Sequence, residues 1–366
     1  MRLLLVFDHL DTGGAQTHGL ALAQELLHAG HTLFLASRGG DQEPRFAQAG
    51  VTILRWPAPS RARPFQLTRS FLRARRIVRD IQPDVIHAHA VLPGMIFSLA
   101  ARSGSGLRPP IVITPHRSWD SLYRFATSRL FYRLLRFAAD DVIAISSGFY
   151  RELTAHGIPA ERCYLIHNGI DVSKYDLPLN NPAPPVVGTI GRLIEQKGLD
   201  VFIAAAARVA ARRLDVIFQI AGEGLLREAL QQQIAELGLS ERIHLLGSRS
   251  DVPDVLAQFS VFVSSSRWEG MPYALLEALA ARRPVVATRV LGSEELIQHE
   301  VNGLLVSPED PIGLSEAIER LLADRGLAHT LAEAGHHLVE REYNQQAMAH
   351  HITQVYQRAI AHDRSA

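Results

Sequence analysis

Residues 264–279 read SSSRWEGMPYALLEAL and predict the end of a strand, a loop and the start of a helix. The apolar run VFV directly before them is typical of a buried strand, and a helix is expected over residues 274–281. The first turn of a helix offers unpaired N–H groups that suit phosphate. Glu277, inside that helix, would bind hydroxyl groups beside the phosphate, and Glu269 would face the group that the phosphate carries. The stretch therefore favours a phosphate-linked polyol, such as ribose or a sugar, as the ligand.

The composition is that of a packed globular protein. The chain has 366 residues, enough for two domains of ordinary size, and 47% of them are hydrophobic. No apolar run approaches the length of a membrane span, and a first strand expected from residue 2 leaves no room for a signal peptide. The one cysteine, Cys163, excludes an internal disulfide and a thiolate metal cluster. These features predict a cytoplasmic protein.

Charge is divided unevenly along the chain. Residues 1–172 hold 20 arginines and 13 acidic residues, a net charge of +7. Residues 173–366 hold 18 basic and 24 acidic residues, a net charge of −6. A basic front half and an acidic back half indicate different partners for the two halves.

Strands and helices are predicted to alternate along most of the chain. In the first part, strands are expected at residues 2–7, 31–36, 51–54, 85–88, 111–114, 142–145 and 164–166. After a proline-rich linker at residues 168–185, they are expected at residues 186–190, 216–221, 243–246, 261–263, 285–287 and 304–306. Such alternation predicts an α/β fold with two doubly wound domains. Ligands of these sheets bind at the carboxyl ends of the strands, and a cleft between the domains is the natural site.

Two glycine-containing turns follow predicted strands. Gly13 and Gly14 precede a helix, where paired glycines let backbone N–H groups approach an anion. Their sequence, DTGGAQ, differs from the GxGxxG dinucleotide fingerprint, which argues against a nicotinamide dehydrogenase, and a tight turn is the alternative interpretation. Gly222, in the run AGEG, would either pass close to a base or phosphate or simply form a turn.

A cationic loop follows the first strand of the second domain, where residues 191–198 read GRLIEQKG. Arg192 and Lys197 would clamp a diphosphate, the arginine through its planar fork and the lysine as a point charge. A solvated surface loop is the alternative, but the position at the carboxyl end of a strand favours the clamp.

Three of the 17 histidines, His87, His89 and His116, lie at or just past a predicted strand end. There His116 would hydrogen-bond a sugar hydroxyl or a phosphate oxygen, although a surface or capping role is commoner for any one histidine. The chain contains neither an HExxH motif nor a Cys/His cluster with the spacing of metal ligands. The sequence therefore predicts no metal site.

Seven arginines, interleaved with apolar residues, lie from Arg61 to Arg79, and a helix is predicted over residues 65–81. A basic amphipathic helix can lie on an anionic membrane surface, which would make the protein peripheral on the inner face of the membrane. A domain helix with a charged outer face is the alternative. No recognised nucleic-acid-binding module accompanies the arginines, so nucleic acid is not a predicted partner.

Four segments, taken together and in order, resemble the retaining glycosyltransferases of family 4. They are GGAQ at residues 13–16, HNGID at residues 167–171, GRLIEQKG at residues 191–198 and, most specific of the four, EGMPYALLE at residues 269–277. The resemblance implies the GT-B fold, in which two Rossmann-like domains face a central cleft. It also implies an acceptor-binding domain over residues 1–170, a donor-binding domain over residues 171–344 and a last helix, within residues 345–366, that crosses back onto the first domain.

The resemblance also implies roles for individual residues. Arg192 and Lys197 would neutralise the donor diphosphate. Glu277 would bind the ribose hydroxyls, Glu269 would contact the donor sugar, and His116 would lie near the anomeric centre. His116, Glu269, Arg192 and Lys197 form the predicted catalytic set. The predicted donor-binding set is completed by Gly13, Gly14, Gly222, Met271, Pro272, Tyr273 and Ala274.

The predicted activity is metal-independent transfer of a sugar, with retention of configuration, from a nucleotide sugar to a glycan or a lipid-linked acceptor in cell-envelope polysaccharide biosynthesis. The nucleotide sugar is a co-substrate, so no cofactor is predicted; a UDP-sugar is favoured and a GDP-sugar comes next. Residues 290–295 read VLGSEE and depart from the GGxPE-like segment of many relatives, which bears on donor identity. The alternatives are a nucleotide-sugar epimerase on the same fold and a non-catalytic nucleotide-sugar-binding protein.

Overall fold

The computed structural model describes residues 1–59, 64–104, 108–116, 128–178 and 182–363. The chain separates into two compact units. Unit 1 comprises Met1–Gly169 and Gln345–Ala366, and unit 2 comprises Ile170–Asn344. Each unit is built on its own parallel sheet, so the predicted α/β fold with two doubly wound sheets is confirmed.

Unit 1 contains a seven-stranded parallel sheet with the strand order β3-β2-β1-β4-β5-β6-β7. The strands are β1 Arg2–Val6, β2 Thr32–Ser37, β3 Thr52–Arg55, β4 Val85–Ala88, β5 Ile111–Ile113, β6 Asp141–Ala144 and β7 Cys163–Leu165. Its helices are α1 Gly14–His28, α2 Glu43–Ala49, α3 Pro64–Ile81, α4 Val91–Arg102, α5 Ser128–Ala138, α6 Ser147–Ala155 and, from the end of the chain, α14 Gln345–Asp363. Most strand ends differ from the predicted ones by one residue.

Strand β1 is apolar on both of its faces because both are covered by helices. Leu3 and Leu5 belong to the apolar cluster formed with α1 and α14, whereas Leu4 and Val6 belong to the cluster formed with α3, α4 and α5. Successive side chains of a strand point to opposite faces, so helices cover both faces of this sheet. Continuous Leu and Val, rather than alternation with polar residues, is what burial on both faces requires.

Helix α14 packs into the core of unit 1 although it lies at the other end of the sequence. Its buried residues belong to the cluster that also contains Leu3 and Leu5 of β1; they are Met348, Ile352, Val355 and Tyr356. Their spacing of three and four residues places them on one face of the helix. At the start of α14, the Gln345 amide Nε2 donates a hydrogen bond of 2.8 Å to Glu25 of α1.

Unit 2 contains a six-stranded parallel sheet with the strand order β10-β9-β8-β11-β12-β13. The strands are β8 Val186–Ile190, β9 Ile217–Ala221, β10 Ile243–Gly247, β11 Val261–Ser264, β12 Val285–Thr288 and β13 Leu304–Val306. The helices are α7 Leu199–Arg212, α8 Arg227–Glu236, α9 Val252–Ala257, α10 Tyr273–Ala280, α11 Leu291–Leu296, α12 Pro311–Ala323 and α13 Arg325–Glu342. Across the described ranges of both units, every helix is too short or too polar to cross a bilayer.

Candidate functional site

The strand order reverses at one place in each sheet. In unit 1 the reversal lies between β1 and β4, and in unit 2 it lies between β8 and β11. The loops that leave two such strands run in opposite directions and open a crevice at their carboxyl ends, where doubly wound sheets bind ligands. The predicted site residues of unit 2 follow β8 and β11, and those of unit 1 follow β1 and its neighbours β4 and β5.

In unit 2, the loops that follow β8 and β11 are joined by hydrogen bonds. The Ser265 hydroxyl donates to the Lys197 carbonyl oxygen at 2.9 Å, and the Arg267 N–H donates to the Gln196 carbonyl oxygen at 2.8 Å. The Arg267 guanidinium adds a bidentate pair with Asp200, at 2.9 and 2.7 Å, and this pairing holds the pKa of the Asp200 carboxyl below its usual range. The two loops therefore form one fixed structure.

Gly198 fills the closest approach between these loops. Its φ of +55° is left-handed, and a Cβ added to it would lie 2.2 Å from the Ser265 carbonyl oxygen. Only glycine meets both demands, because a side chain there would be strained in conformation and would also collide with backbone.

We expect Gly198→Ala to destabilise unit 2 by at least about 3 kcal/mol, because the collision adds to the cost of the left-handed conformation. Gly238→Ala is the matched control: Gly238 also has a positive φ, of +68°, but a Cβ there meets nothing within 4 Å. The control should lose only about 1 kcal/mol, the conformational cost alone. Urea unfolding of both variants measures the difference, and equal losses would show that the loops are not in close contact.

Lys197 and Glu269 form an ion pair where the two loops meet. The Lys197 ammonium lies 2.5 Å from Glu269 Oε1, and the two side chains are only 18% and 7% exposed. The Ser266 hydroxyl donates to the same carboxylate oxygen at 2.7 Å, and Gln196 Nε2 donates to Oε2 at 3.2 Å. Desolvated charges persist when they are paired and hydrogen-bonded in this way. The structure thus brings together two predicted catalytic residues that the sequence separates by 72 positions.

A small cavity borders this ion pair. Its walls come from the end of β8, the end of β11 and the first turn of α10. They include Thr189, Gly191, Lys197, Ser265, Pro272 and Ala274. Met271 and Tyr273, on either side of Pro272, are buried. The helix begins at Tyr273, one residue before its predicted start, because Pro272 supplies the carbonyl that accepts from the N–H groups of Leu275 and Leu276.

Glu277 lies further along α10 and is half-buried. The Tyr175 hydroxyl donates a hydrogen bond of 2.9 Å to Glu277 Oε1. Tyr175 ends the 3₁₀ turn Val172–Tyr175, in the segment that the sequence suggests is a linker. Because its prolines suggest only a linker, the sequence gives no sign that Tyr175 orients the carboxylate predicted to bind ribose.

Gly222 has a structural reason to be glycine. Its φ is +147°, and a Cβ on it would lie 1.9 Å from the Gly191 carbonyl oxygen, immediately before the exposed Arg192. Its N–H donates to the Gly247 carbonyl oxygen at 2.8 Å. Of the two interpretations of AGEG, a turn packed on the cationic loop is enough to explain why residue 222 is glycine, without a ligand.

The glycine pair of unit 1 lies at the start of α1. Gly13 is the N-cap residue and Gly14 is the first helical residue. The φ of Gly13 is 177°, an extended value that any residue adopts, so backbone conformation does not require glycine there. A Cβ on Gly13 would lie 2.9 Å from the Gln16 side-chain oxygen, so limited space, rather than backbone conformation, favours glycine at this position.

Four histidines converge at the strand reversal of unit 1. His87 and His89 come from the end of β4, His116 follows β5, and His18, which the sequence analysis did not single out, comes from α1. His89 Nδ1 lies 3.1 Å from His116 Nε2, and the His18 ring meets the His116 ring edge to face with centroids 4.7 Å apart.

Burial keeps these imidazoles neutral. It lowers the pKa of His18 to about 4, and it holds the pKa values of His87, His89 and His116 well below the usual range. A neutral imidazole offers a hydrogen-bond acceptor or a metal ligand rather than a positive charge. His116 can therefore serve as a neutral polar contact.

Helix α3 carries the described part of the basic stretch; Arg61 and Arg63 lie outside the described residues. Arg69, Arg75, Arg76 and Arg79 are exposed, whereas Ala74 and Ile77 are buried against the sheet. The helix is therefore amphipathic with a cationic outer face.

Two family models match the chain in sequence order. "Glycosyltransferase Family 4" matches residues 12–174, and "Glycosyl transferases group 1" matches residues 184–324. Among solved structures, Anabaena Alr3699/HepE, in complex with UDP-glucose, superimposes with a TM-score of 0.85 at 23% identity, covering 98% of this chain and 100% of that one.

Two curated relatives show the range of sequence similarity. The lipopolysaccharide core biosynthesis glycosyltransferase LpsE of Rhizobium meliloti (strain 1021) is 34% identical over 192 residues, which are 52% of this chain and 53% of LpsE. The match thus spans about half of that relative. The UDP-Gal:alpha-D-GlcNAc-diphosphoundecaprenol alpha-1,3-galactosyltransferase of Escherichia coli is 28% identical over 71% of each chain. With both family models matched in order and the two-sheet fold in place, the chain belongs to the family 4, group 1 glycosyltransferases of the GT-B fold.

Proposed function

We propose that this protein is a retaining glycosyltransferase that moves a sugar from a nucleotide-sugar donor to a glycan or a lipid-linked acceptor in polysaccharide biosynthesis. The observation that carries the proposal is the meeting of Lys197 and Glu269 at the β8/β11 reversal, beside the first turn of α10. The names of the curated relatives support the reaction class and the polysaccharide context.

A UDP-sugar is the first candidate for the donor, and a GDP-sugar is the second. Support for uridine comes from HepE, which was solved with UDP-glucose, and from the galactosyltransferase whose name specifies UDP-Gal. Glu277, already oriented by Tyr175, would accept hydrogen bonds from the ribose hydroxyls.

The donor diphosphate would be neutralised by Arg192 and Lys197. Arg192 is exposed on the loop after β8, and Lys197 is one of the residues that line the cavity. These two cations and the N–H groups at the start of α10 would supply the charge stabilisation that a metal ion supplies elsewhere. We therefore propose transfer without a metal. Glu269, paired with Lys197, would hydrogen-bond the donor sugar through its second oxygen.

In the proposed step the acceptor hydroxyl approaches the anomeric carbon on the face that the diphosphate leaves. The C1–O bond to the phosphate breaks and its electron pair goes to the nucleoside diphosphate. The acceptor oxygen forms the new bond to C1, and its proton passes to the departing phosphate oxygen. Configuration at C1 is retained. For unit 1, we assign the neutral His116 and the backbone at Gly14 to contacts with the donor.

The test is incubation with a panel of UDP- and GDP-sugars, with and without lipid-diphosphate and oligosaccharide acceptors, in the presence of a chelator. We expect an acceptor-dependent product whose anomeric configuration, read by NMR, matches that of the donor. Conversion of the donor without any acceptor would instead identify an epimerase. Donor binding without turnover across the panel would identify a nucleotide-sugar-binding protein.

We also propose that α3 places the protein on an anionic membrane surface. Each arginine near such a surface contributes about 1 kcal/mol, so Arg69→Glu with Arg75→Glu should weaken vesicle binding at least about tenfold. The control replaces Arg208 and Arg325, exposed arginines of unit 2, by glutamate. Flotation on vesicles with and without phosphatidylglycerol, at low salt, measures the difference. If the wild-type protein stays in solution with anionic vesicles, the membrane proposal is wrong.

A further inference from the structure

The histidine cluster of unit 1 contains nitrogen atoms that lack protein partners. His18 Nε2, His89 Nε2 and His116 Nδ1 are all buried, and none has a hydrogen-bond partner among the described residues. Buried polar atoms are nearly always paired. Three such atoms in one group of histidines show that hydrogen bonds within the described residues do not satisfy the cluster.

The other nitrogens of the cluster have partners. His89 Nδ1 and His116 Nε2 lie 3.1 Å apart and hydrogen-bond each other, so in neutral rings one of these two atoms carries a proton and the other accepts it. His18 Nδ1 lies 3.1 Å from the Asn168 side-chain oxygen, and His89 packs flat against Phe7 with ring centroids 4.2 Å apart. His87 is held at both nitrogens, by the Tyr356 hydroxyl at 2.6 Å and by the Thr114 hydroxyl at 2.7 Å. Both nitrogens of His87 are thus held by the protein, whereas His18, His89 and His116 each keep one nitrogen without a partner among the described residues.

We infer that His18, His89 and His116 form a binding site for a divalent transition-metal ion that favours imidazole, with Zn²⁺ as the first candidate. One ligand nitrogen from each residue lies within 4.8 Å of the others. Nitrogens around tetrahedral zinc are roughly 3.3 Å apart, given Zn–N distances near 2.0–2.1 Å. His89 Nδ1 and His116 Nε2 already lie 3.1 Å apart, so an ion bound between them would replace their hydrogen bond, with His18 Nε2 as the third ligand. Imidazole suits zinc, copper and nickel better than magnesium or calcium.

Binding of the ion requires unprotonated imidazole nitrogens, so affinity should fall as the pH is lowered. Three protein ligands leave one tetrahedral position for water or another small ligand.

The site has a consequence that rests on the proposed function, whereas metal binding itself does not. His116 is the imidazole that we assign to the donor. An ion bound to the His116 ring would compete with the donor for that ring, so the ion would inhibit a transfer reaction that needs no metal. A chelator should then preserve or raise turnover, and Zn²⁺ should lower it.

The experiment measures metal binding by the full-length chain, prepared without a histidine tag. Competition with a chromophoric chelator should give one tight Zn²⁺ site per chain. Zn²⁺ at about 100 times its Kd should raise Tm by about 5 °C or more. Mg²⁺ at the same concentration should have no effect.

Two variants and a control locate the site. His18→Phe and His116→Gln should each lose the tight site, whereas His337→Gln, a change at an exposed histidine of unit 2, should keep it. Circular dichroism melting without metal shows that each variant is folded. If the wild type binds no Zn²⁺, or if both folded cluster variants bind it as tightly as the control, the inference is wrong. Inhibition by Zn²⁺ is scored separately, so a failed transfer assay leaves the binding result intact.

Discussion

Lys197→Ala is expected to lower kcat about 100-fold or more at saturating donor, because it removes a fixed positive charge from the diphosphate as that group leaves. Losing one preorganised group that stabilises such developing charge typically costs about 10² to 10³ in kcat. The chain contains one other lysine, Lys174, which is 55% exposed and paired with Asp171. Lys174→Ala removes the same charge from the same unit and should leave kcat nearly unchanged.

Unfolding must be separated from lost catalysis in this variant. Lys197→Ala leaves Glu269 without its cation, and a buried carboxylate deprived of its partner destabilises a fold. The double variant Lys197→Ala with Glu269→Gln removes both charges and should recover stability without recovering kcat. Tm and kcat of the two variants settle the matter. A single variant that keeps wild-type turnover would show that Lys197 does not stabilise the leaving diphosphate.

Glu277→Ala is expected to raise the donor KM about 10- to 100-fold and to change kcat little. A hydrogen bond to a charged group contributes about 1.5–3 kcal/mol, and the ribose hydroxyls are bound equally before and during transfer. Tyr175→Phe removes the hydroxyl that donates to Glu277 and leaves the carboxylate in place, so its KM should change much less.

A donor analogue makes this test specific. With a 2′-deoxyribose nucleotide sugar, the wild-type protein should already have a raised KM, and Glu277→Ala should add little to it. If the deoxy donor and Glu277→Ala each raise KM by the same factor whether or not the other change is present, Glu277 does not contact the ribose. Steady-state kinetics with the natural and deoxy donors on both proteins provide the four values.

The sequence predicts both sheets because a parallel strand that is buried on both faces consists of a short apolar run, and these runs alternate with helical segments along the chain. Residues 261–281 similarly predict a strand, a loop and a helix whose ends agree with the structure to within a residue, since Pro272 marks the helix start locally. Such features depend on neighbouring residues alone. They can therefore be predicted without any knowledge of the tertiary structure.

The contacts between distant loops could not be predicted in the same way. Arg267 and Asp200 are separated by 67 positions, and nothing in either residue identifies the other as its partner. The sequence predicts separate roles for Lys197, on the diphosphate, and Glu269, on the sugar, and does not indicate that the two side chains are in direct contact. That contact depends on the β8/β11 neighbour relation, which the order of elements along the chain does not contain.

His18 shows a second reason for missed residues. It lies four positions after Gly14 in a helix, where a histidine is usually a surface residue. The fold instead turns it towards His116, and His18 is fully buried. The cluster becomes visible only when α1, β4 and the end of β5 are assembled. The prediction of no metal site rests on spacing in sequence, and such spacing does not show histidines that three separate elements bring together.

The central claim is that unit 2 holds a nucleotide-sugar diphosphate by Arg192 and Lys197. A crystal structure of the protein soaked with UDP, or with the donor that the activity panel identifies, tests it most directly. We expect the Arg192 guanidinium and the Lys197 ammonium within about 4 Å of diphosphate oxygens, the distance of an ion pair. Ordered nucleotide whose diphosphate lies far from both side chains, with Lys197 still bound to Glu269 alone, would contradict the account.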